Sequence, residues 1–476
     1  MIIEELIFRH AQRSPEKIAI IAGTAEVSYS QLWQKIVQAC SYFKTCGLRR
    51  GDRIVISAGK SIEFIQTYFG AHLAGMICVP VDPETNAVRL KGIVDRVEPS
   101  LIVGELHHGE NHDVKRFSEI HSEKSLDTVF PKSTDYADIL FTTGTTGLPK
   151  GVVLSYSNLL AAADNINTFI GNSPDDVELL ALPISHSFGL GRLRCVMLKG
   201  ATLVLLGSFA SMKRFFGEME RCRATGFGMV PASWAYLRKM SGNRIGNYAS
   251  QLNYIEIGSA PMPMEEKQAL MHLLPDTRIC MHYGLTEASR SAFISFHDEA
   301  AHLMTAGRPS PNTEIAVFNE DGERLGLEKD GEICVKGRHV CSGYWGLPED
   351  EYRKDFNGVF FKTGDWGHLD REGYLHLVSR KKEIINVGGK KVSPVEVEEA
   401  LNAIPGIEES ACVGVSDAVL GEVVKAFCVC SRDVDFETVK KSLSDKIETW
   451  KIPVYYDVID RLPKTLSGKL QRLSLK

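Results

Sequence analysis

The sequence has no apolar run long enough to cross a membrane, no Cys-x-x-Cys pair and no excess of basic residues. A helical span needs about 20 consecutive apolar residues, so no membrane span is expected. The N-terminal sequence MIIEE lacks the basic start of a signal peptide. The 11 cysteines are scattered, which favours reduced thiols in a cytoplasmic protein over a disulfide or zinc framework. A formal net charge of −5 gives no sign of a nucleic-acid surface, so no nucleic-acid partner is expected.

The length and the pattern of apolar residues indicate an α/β protein of more than one domain. A chain of 476 residues is too long for a single core. Apolar residues at helical spacing over residues 32–43 predict a helix that Gly47 ends. A strand over 52–56, a helix over 64–74 and a strand over 76–81 follow, and this alternation predicts a parallel sheet covered by helices. Residues 105–125 are polar and are predicted to be a surface loop.

The segment from 141 to 151 has the chemistry of a phosphate-binding loop. It contains four hydroxyls, three glycines and one lysine, namely Thr142, Thr143, Thr145, Thr146, Gly144, Gly147, Gly151 and Lys150. Glycines let backbone N–H groups face an anion, hydroxyls add donors, and a lysine adds a point charge. Apolar runs at 139–141 and 151–154 predict flanking strands. A polar hairpin turn is the alternative, and a Walker loop is excluded because Gly151 follows the lysine.

This loop resembles the phosphate-binding signature of the adenylate-forming superfamily: acyl- and aryl-CoA synthetases, peptide-synthetase adenylation domains and firefly-type luciferases. The resemblance continues through separate segments over nearly the whole chain. It implies a large N-terminal domain, residues 1–380, with parallel-sheet layers and a small β-barrel. It also implies a small mobile α+β C-terminal domain, residues 383–476, with a hinge at about Lys382.

Residues 181–190 resemble the segment that places a histidine or an aromatic residue beside the substrate carboxylate, and His186 matches that position. A packed core histidine is the alternative. In relatives that activate amino acids, the residue at Ser187 is typically an aspartate, so the resemblance makes an α-amino acid substrate less expected. Gly191 is predicted to leave volume for a ring or chain of the acid.

Residues 258–261 and 281–290 resemble the adenine loop and the most diagnostic motif of the superfamily. The resemblance implies that Ser259 lies against adenine, Tyr283 stacks on it and Thr286 hydrogen-bonds the α-phosphate. Glu287 would hold Mg2+, which prefers carboxylate oxygens.

His282 and Arg290 flank this motif where relatives build the acyl pocket, and both positions are commonly small or apolar there. A buried arginine needs a partner because an unpaired buried charge is costly. Arg290 is therefore expected to contact either a polar or anionic group of the substrate or a carboxylate of the protein.

The resemblance assigns the remaining site residues to the last third of the chain. Asp365 would accept both ribose hydroxyls, with a capping aspartate in a turn as the alternative. Arg380 would contact ribose or phosphate, and Gly388 and Gly389 would border the thiol channel. Ser393, Pro394 and Glu396 predict the start of a helix with a capping box. Strands over 410–415 and 423–430, a helix and a last strand are predicted to complete the small domain.

The resemblance implies an AMP-forming ligase that uses ATP and Mg2+ to convert a small carboxylic acid to an acyl-adenylate and then to a thioester. Coenzyme A is the expected acceptor, with His186, Thr286, Glu287 and Lys469 as the catalytic residues. The phosphopantetheine of a carrier protein acting in trans is the alternative acceptor. A non-catalytic regulator that binds nucleotide or adenylate is the alternative of a different class. A homodimer is left open.

Lys469 matches the lysine of the adenylation step, and its role is testable by half-reaction. Replacing it with alanine (Lys469→Ala) is expected to abolish adenylate formation while sparing thioester formation from pre-made adenylate. Loss of one positioned charge-stabilising group typically costs about 10²–10³ in rate. Separate assays of the two half-reactions measure this, and equal loss of both would contradict the assignment.

Overall fold

The computed structural model describes residues 1–106, 114–123, 129–142, 150–388, 390–417, 419–431, 434–444, 446–464 and 470–475. Five predicted site residues of the phosphate loop and the C-terminal segment (Thr143, Gly144, Thr145, Thr146 and Lys469) lie outside the described residues, as does Gly389. The chain divides into two units. The first comprises residues 1–315 and 335–361, and the second comprises residues 316–334 and 362–476. The boundary predicted near residue 380 stays a prediction.

The helices of the described residues are α1 (Ile3–Arg13), α2 (Tyr29–Thr45), α3 (Ile62–Leu73), α4 (Ala87–Val97), α5 (Tyr156–Ile170), α6 (Ser187–Lys199), α7 (Met212–Arg221), α8 (Pro231–Ser241), α9 (Met264–Leu273), α10 (Glu349–Arg353), α11 (Pro394–Asn402) and α12 (Phe436–Ser444). Among them, none is both long enough and apolar enough to cross a bilayer.

The strands up to residue 295 are β1 (Ile18–Ala22), β2 (Ala25–Ser28), β3 (Arg53–Ser57), β4 (Ile77–Val81), β5 (Leu101–Val103), β6 (Val114–Lys115), β7 (Tyr136–Thr142), β8 (Lys150–Ser155), β9 (Val177–Leu180), β10 (Thr202–Leu205), β11 (Gly226–Met229), β12 (Tyr254–Ile257), β13 (Arg278–Leu285) and β14 (Ala288–Ser295). The later strands are β15 (Arg308–Pro309), β16 (Thr313–Phe318), β17 (Gly331–Gly337), β18 (Gly343–Tyr344), β19 (Phe356–Asn357), β20 (Phe360–Leu369), β21 (Leu375–Arg380), β22 (Ile385–Val387), β23 (Lys390–Val392), β24 (Ile407–Asp417), β25 (Gly421–Cys430) and β26 (Tyr455–Val458).

The first unit contains two sheets with parallel centres, as the alternating pattern predicted. One has the order β18-β8-β7-β4-β3-β5-β6, and the other has the order β15-β14-β13-β12-β11-β9-β10-β1-β2. The central strands pair in parallel, and the antiparallel pairs lie toward the edges, such as β7 with β8 and β13 with β14. The central strands are buried, which matches their continuous apolar runs.

The predicted helices and strands of this unit are confirmed, with small corrections at their ends. In α2 the residues at helical spacing are buried, and Ser28 caps the helix with a reciprocal bond to Gln31. Helix α5 begins at Tyr156 and is capped by Ser155, whose side chain accepts from the backbone N–H of Asn158. It ends at Gly171, which has the positive φ of 81° that glycine adopts without strain.

Residues 105–125 are not all loop. Val114 and Lys115 form β6, which pairs in parallel with β5 at the edge of its sheet, and residues 117–119 form a short 3₁₀ turn. The reason is that β5 leaves an open edge whose backbone groups need partners. Residues 107–113 and 124–125 of this prediction lie outside the described residues.

Helix α6 carries two buried arginines that pair with different sheets. Residues two apart on a helix point about 200° from each other. Arg194 donates to Asp138 on β7 and to Tyr68 on α3. Arg192 donates to Glu178 on β9, with Nε 2.8 Å from Oε1. The helix is therefore held between the two sheets by an ion pair on each of its sides.

Asp138 is the centre of a fully buried polar cluster. It accepts from Arg194, from the Tyr68 hydroxyl at 2.9 Å and from His72 Nε2 at 3.2 Å. The other ring nitrogen of His72 lies 2.8 Å from Glu4 on α1. Burial alone would raise the pKa of Asp138, but the positive charge of Arg194 holds it below its usual value.

The second unit contains the sheet β23-β22-β25-β24, with β26 paired to β25, which confirms the predicted strands of the small domain. A further sheet of order β16-β17-β20-β19, with β21 on β20, includes the strands in which the chain passes from one unit to the other. Ser393 caps α11 as predicted, and Pro394 is its first residue. The carboxylate of Glu396 instead lies 2.6 Å from Lys451 Nζ, because a lysine is a stronger partner than the capping amide.

The Asp138 cluster gives a stability prediction. Asp138→Ala removes the only carboxylate that Arg194 contacts by an ion pair among the described residues and leaves a buried cation, which typically costs about 3–5 kcal/mol. The free energy of unfolding from denaturant titration measures this. Asp95→Ala is the matched control, because the Lys91–Asp95 pair is exposed and should change the free energy by less than about 1 kcal/mol. Equal effects of the two substitutions would contradict the prediction.

Candidate active site

Two predicted site residues from distant motifs, Lys150 and Glu287, meet at one tyrosine in the first unit. The ammonium of Lys150 lies 4.7 Å from the centroid of the Tyr344 ring. The hydroxyl of Tyr344 donates to Oε1 of Glu287 at 3.0 Å. Thr142 is paired with Lys150 across β7 and β8, so the described ends of the phosphate loop lie at the same place.

The turn between β13 and β14 positions Thr286 and Glu287. Leu285 and Ala288 pair across the hairpin, which leaves these two residues at its tip. A Cβ on Gly284 would lie 2.4 Å from the backbone nitrogen of Arg290, so only glycine fits there. The backbone carbonyl of Glu287 accepts from the N–H of Cys341 at 2.7 Å, which fixes the turn to the segment before β18.

The donor set around Glu287 fits a hard divalent cation. The side chain is half-buried, and one carboxylate oxygen is occupied by Tyr344. The second oxygen and the adjacent Thr286 hydroxyl are oxygen donors, the type that Mg2+ prefers. The burial of Tyr344 and the negative charge of Glu287 raise the pKa of the tyrosine hydroxyl, so it stays a hydrogen-bond donor.

His186 lies at the N-terminus of α6, at the carboxyl ends of the strands. Ser185, just before it, donates to Asp82 at 3.0 Å, and Lys60 donates to the Ala181 carbonyl at 2.8 Å. Burial lowers the pKa of His186 and Asp82 opposes the shift, so the ring is neutral at pH 7. Burial likewise lowers the pKa of Lys60 to about 8.

A cavity lies between α5 and α6 and reaches the tip of the β13–β14 hairpin. It measures about 370 Å³ including its open mouth, and Ser187, Gly191 and Thr286 line it together with Leu159, Ala162 and Ile166. Three residues predicted for the substrate and phosphate sites thus share one space. Its wall is mixed, with aliphatic side chains from α5 and hydroxyls from α6 and the hairpin.

Arg290 pairs with a carboxylate of the protein, one of the two kinds of partner that the sequence left open. Its Nε lies 3.0 Å from Oε1 of Glu256 on β12, and its Nη atoms donate to the carbonyls of Ser187 and Phe188, each at 3.0 Å. The side chain is 2% exposed. With every donor nitrogen directed at the protein, the guanidinium belongs to the framework of the site.

Arg290 fills the space on one side of Gly191, while Gly191 also lines the cavity, and its role in leaving volume for the acid stays a prediction. A Cβ on Gly191 would lie 2.7 Å from Nη1 of Arg290, so the guanidinium occupies the space beside the glycine. His282 similarly fills the space beside Gly258, whose Cβ would lie 2.1 Å from its ring. The two glycines are therefore needed for packing of these side chains.

Glu256 contacts three side chains from different elements. In addition to pairing with Arg290, its carboxylate lies 3.2 Å from Nη1 of Arg192 on α6 and 2.7 Å from Nδ1 of His282 on β13. Burial alone would raise the pKa of Glu256, but Arg290 and His282 hold it well below its usual value. Burial lowers the pKa of His282, which keeps the ring neutral.

The sequence interpretation missed Glu256, Tyr344, Asp82 and Lys60. Glu256 had a usable signal, because a single carboxylate stands in the otherwise apolar run of β12. Asp82 and Lys60 follow the carboxyl ends of predicted parallel strands, where sites gather in such sheets. Tyr344 gave no local signal, since its role depends on two partners distant in sequence.

In the second unit the structure brings Asp365 and Arg380 together. They are directly paired across β20 and β21, and Nε of Arg380 lies 2.7 Å from Oδ1 of Asp365. Gly364 has φ 72°, a conformation that favours glycine and that starts the turn of the chain into Asp365. Lys382 lies in a short 3₁₀ helix after β21, and Gly388 follows β22 with φ 57°.

Ser259 of the first unit also has a positive φ, 77°.

The pairing of Arg290 predicts a stability effect that a substrate-binding residue would not give. Arg290→Leu leaves Glu256 buried with one fewer cation and should lower the free energy of unfolding by about 3 kcal/mol or more, measured without substrate. Lys336→Ala, which breaks the exposed pair with Glu314, should cost less than about 1 kcal/mol. A stable Arg290→Leu protein with altered acid preference would place Arg290 in substrate binding instead.

Comparison with known proteins identifies the family of the chain. Residues 7–345 match the family model described as AMP-binding enzyme, and residues 396–469 match the AMP-binding enzyme C-terminal domain. The chain is 28% identical to a 2-succinylbenzoate–CoA ligase of Bacillus cereus, covering 97% of this chain and 96% of the relative. It is also 28% identical to a feruloyl-CoA synthase of Amycolatopsis, with the same coverage.

Two solved structures are similar over almost the full length. ATP-bound MatB from Rhodopseudomonas palustris has a TM-score of 0.89 at 26% identity, covering 100% of this chain and 98% of that one. o-Succinylbenzoate CoA synthetase (MenE) from Bacillus subtilis, with its acyl-adenylate intermediate, has a TM-score of 0.88 at 25% identity, covering 99% and 97%. The large sheet unit with a smaller second unit is the fold expected from the resemblance, and the chain belongs to the AMP-binding enzyme family.

Proposed function

We propose that this protein is an AMP-forming acid–thiol ligase. A carboxylic acid and ATP give an acyl-adenylate and pyrophosphate, and the thiol of CoA then displaces AMP to give an acyl-CoA. The observation that carries the proposal is the meeting of Lys150, from the phosphate loop, with Glu287, from the hairpin motif, on Tyr344. This places a cation suited to phosphate beside a carboxylate suited to a divalent metal.

The first step brings two anions together, and the cations of the site offset the repulsion between them. The carboxylate oxygen attacks the α-phosphorus, and the bond from this phosphorus to the bridging oxygen of pyrophosphate breaks. Unit charges 4 Å apart interact by about 4 kcal/mol at an effective dielectric near 20. Lys150 binds the phosphates, and Lys469 bridges the reacting groups and fixes their in-line geometry. Glu287 would hold Mg2+, which would neutralise part of the charge of the phosphates.

The remaining assignments follow the resemblance and stay proposals. Ser259 and Tyr283 bind the adenine, Thr286 donates to the α-phosphate, and Asp365 and Arg380 bind the ribose. The neutral His186 lies beside the acid. Rotation about Lys382 exchanges Lys469 for the thiol, which approaches along Gly388 and Gly389, attacks the adenylate carbonyl and releases AMP while its proton passes to solvent.

The acid is short or compact. Arg290 fills the space beside Gly191 of α6, a residue that lines the cavity, and His282 fills the space beside Gly258. Moving Arg290 away from Glu256 would leave buried charges unpaired, so this side of the cavity resists opening.

CoA is the proposed acceptor because the names of the curated relatives, 2-succinylbenzoate–CoA ligase and feruloyl-CoA synthase, specify it. Both names also specify acids that carry a ring. A compact aromatic or short aliphatic acid is therefore the substrate class to test first.

A pyrophosphate-release assay over a panel of acids tests the proposal. The panel runs from acetate through short dicarboxylates and substituted benzoates or cinnamates to palmitate, with CoA or a pantetheine-loaded carrier protein as acceptor. Turnover is expected with a short or compact acid, with CoA, and at a rate at least about 100-fold lower in Glu287→Gln. Palmitate as the best acid would contradict the pocket size. ATP binding without turnover of any acid would favour a regulator.

A further inference from the structure

Tyr344 lies in register with the strand that follows the phosphate loop. In β18, Tyr344 pairs with Val152 of β8, and the N–H of Trp345 donates to the carbonyl of Gly151 at 2.7 Å. Side chains two apart on a strand share a face, so Lys150 is the diagonal neighbour of Tyr344 on the same face. The contact between the ammonium and the ring thus follows from strand register.

The hydroxyl end of the same side chain is fixed independently. The segment before β18 pairs with the hairpin, because Val340 bridges to Ala288 and the N–H of Cys341 donates to the Glu287 carbonyl at 2.7 Å. These bonds bring the Tyr344 hydroxyl 3.0 Å from Oε1 of Glu287. Two separate backbone pairings therefore aim one side chain at both charged groups.

A row of rings supports Tyr344 from behind. Tyr352 meets it edge to face, with centroids 5.6 Å apart at 87°, and Phe356 meets Tyr352 at 5.0 Å and 82°. The Tyr352 hydroxyl donates to the Cys341 carbonyl at 2.7 Å. Tyr344 itself is 9% exposed. Packing of this kind leaves the ring few alternative rotamers.

Such a side chain has two effects on its charged partners. A hydroxyl that donates to a carboxylate orients it and leaves the second oxygen for a metal, as outer partners of metal ligands commonly do. The face of an aromatic ring attracts an ammonium without neutralising it. One side chain therefore contacts both groups, with the ammonium of Lys150 over its ring and the carboxylate of Glu287 at its hydroxyl.

We propose that Tyr344 is a positioning residue that orients Glu287 toward a divalent cation and keeps Lys150 available for phosphate. This inference rests on the proposed function, since it takes Glu287 as the metal ligand and Lys150 as the phosphate ligand. Tyr344 belongs to none of the sequence motifs on which the proposed function rests.

Two substitutions separate the two effects. Tyr344→Phe removes the hydroxyl and keeps the ring, while Tyr344→Leu removes both. Tyr352→Phe is the matched control, because it removes a neighbouring buried hydroxyl whose hydrogen bonds, among the described residues, go to Cys341. Mn2+ serves as the metal probe, and its binding to the ATP-saturated full-length protein is followed by electron paramagnetic resonance. ATP binding in excess EDTA is measured by calorimetry, and thermal unfolding of each variant confirms folding.

Tyr344→Phe is expected to weaken Mn2+ binding about 10-fold while leaving metal-free ATP binding unchanged. Tyr344→Leu should weaken both, with metal-free ATP binding reduced about 3-fold. Tyr352→Phe should change neither. Wild-type Mn2+ affinity in folded Tyr344→Phe would overturn the inference, as would an equal loss in Tyr352→Phe. If the wild type releases no pyrophosphate with any acid yet Tyr344→Phe weakens Mn2+ binding, the positioning role stands and the proposed function fails. If the wild type turns over an acid and Tyr344→Phe binds Mn2+ normally, the proposed function stands and the positioning role fails.

Discussion

Helix α6 is held between two sheets by a pair of buried guanidinium groups, and the geometry of the site depends on this constraint. Arg192 and Arg194 point in opposite directions, and each is neutralised by a carboxylate from a different sheet, Glu178 in one and Asp138 in the other. An unpaired buried charge costs several kcal/mol, so a shift of α6 toward either sheet would break a pairing on the opposite side. The N-terminus of the helix, with His186 and Ser187, is thereby fixed at the carboxyl ends of the strands.

Glu256 extends this constraint from the helix to the hairpin that carries the motif residues. It lies between Arg192 of α6 and Arg290 of β14, with His282 of β13 beside it. The hairpin is therefore tied to α6 through a shared carboxylate, and its tip carries Glu287 and presents Thr286 to the cavity. The same charges that hold the hairpin fill the space behind the cavity. Stability of the framework and the packing beside the cavity arise from one set of side chains.

The chemistry of an AMP-binding enzyme explains why so many of these groups must be held rigidly. Two anions react in the first step, and a cation or a metal ligand displaced by about 1 Å loses much of its effect on that barrier. Tyr344 contributes to this order from the edge of the first sheet, where β18 aligns it with Lys150 and where the preceding segment is bonded to Glu287. Asp82 accepts from Ser185, and Lys60 donates to the Ala181 carbonyl, so these two residues hold the segment that leads into α6.

The sequence by itself determined the elements and the chemical types of the site. Apolar spacing placed α2, β3, α3 and β4, and the motifs identified Lys150, Glu287 and Asp365 as candidate ligands, because periodicity and local residue types are properties of short segments. It left Arg290 open between substrate and protein, and it did not foresee that a guanidinium would fill one side of Gly191. Only the tertiary structure decided these points, since the partner of Arg290 is on β12, 34 residues away. The partners of Tyr344 lie on β8 and on the hairpin tip. A buried charge takes whichever partner the packing of distant strands brings within reach, and no local pattern records that distance.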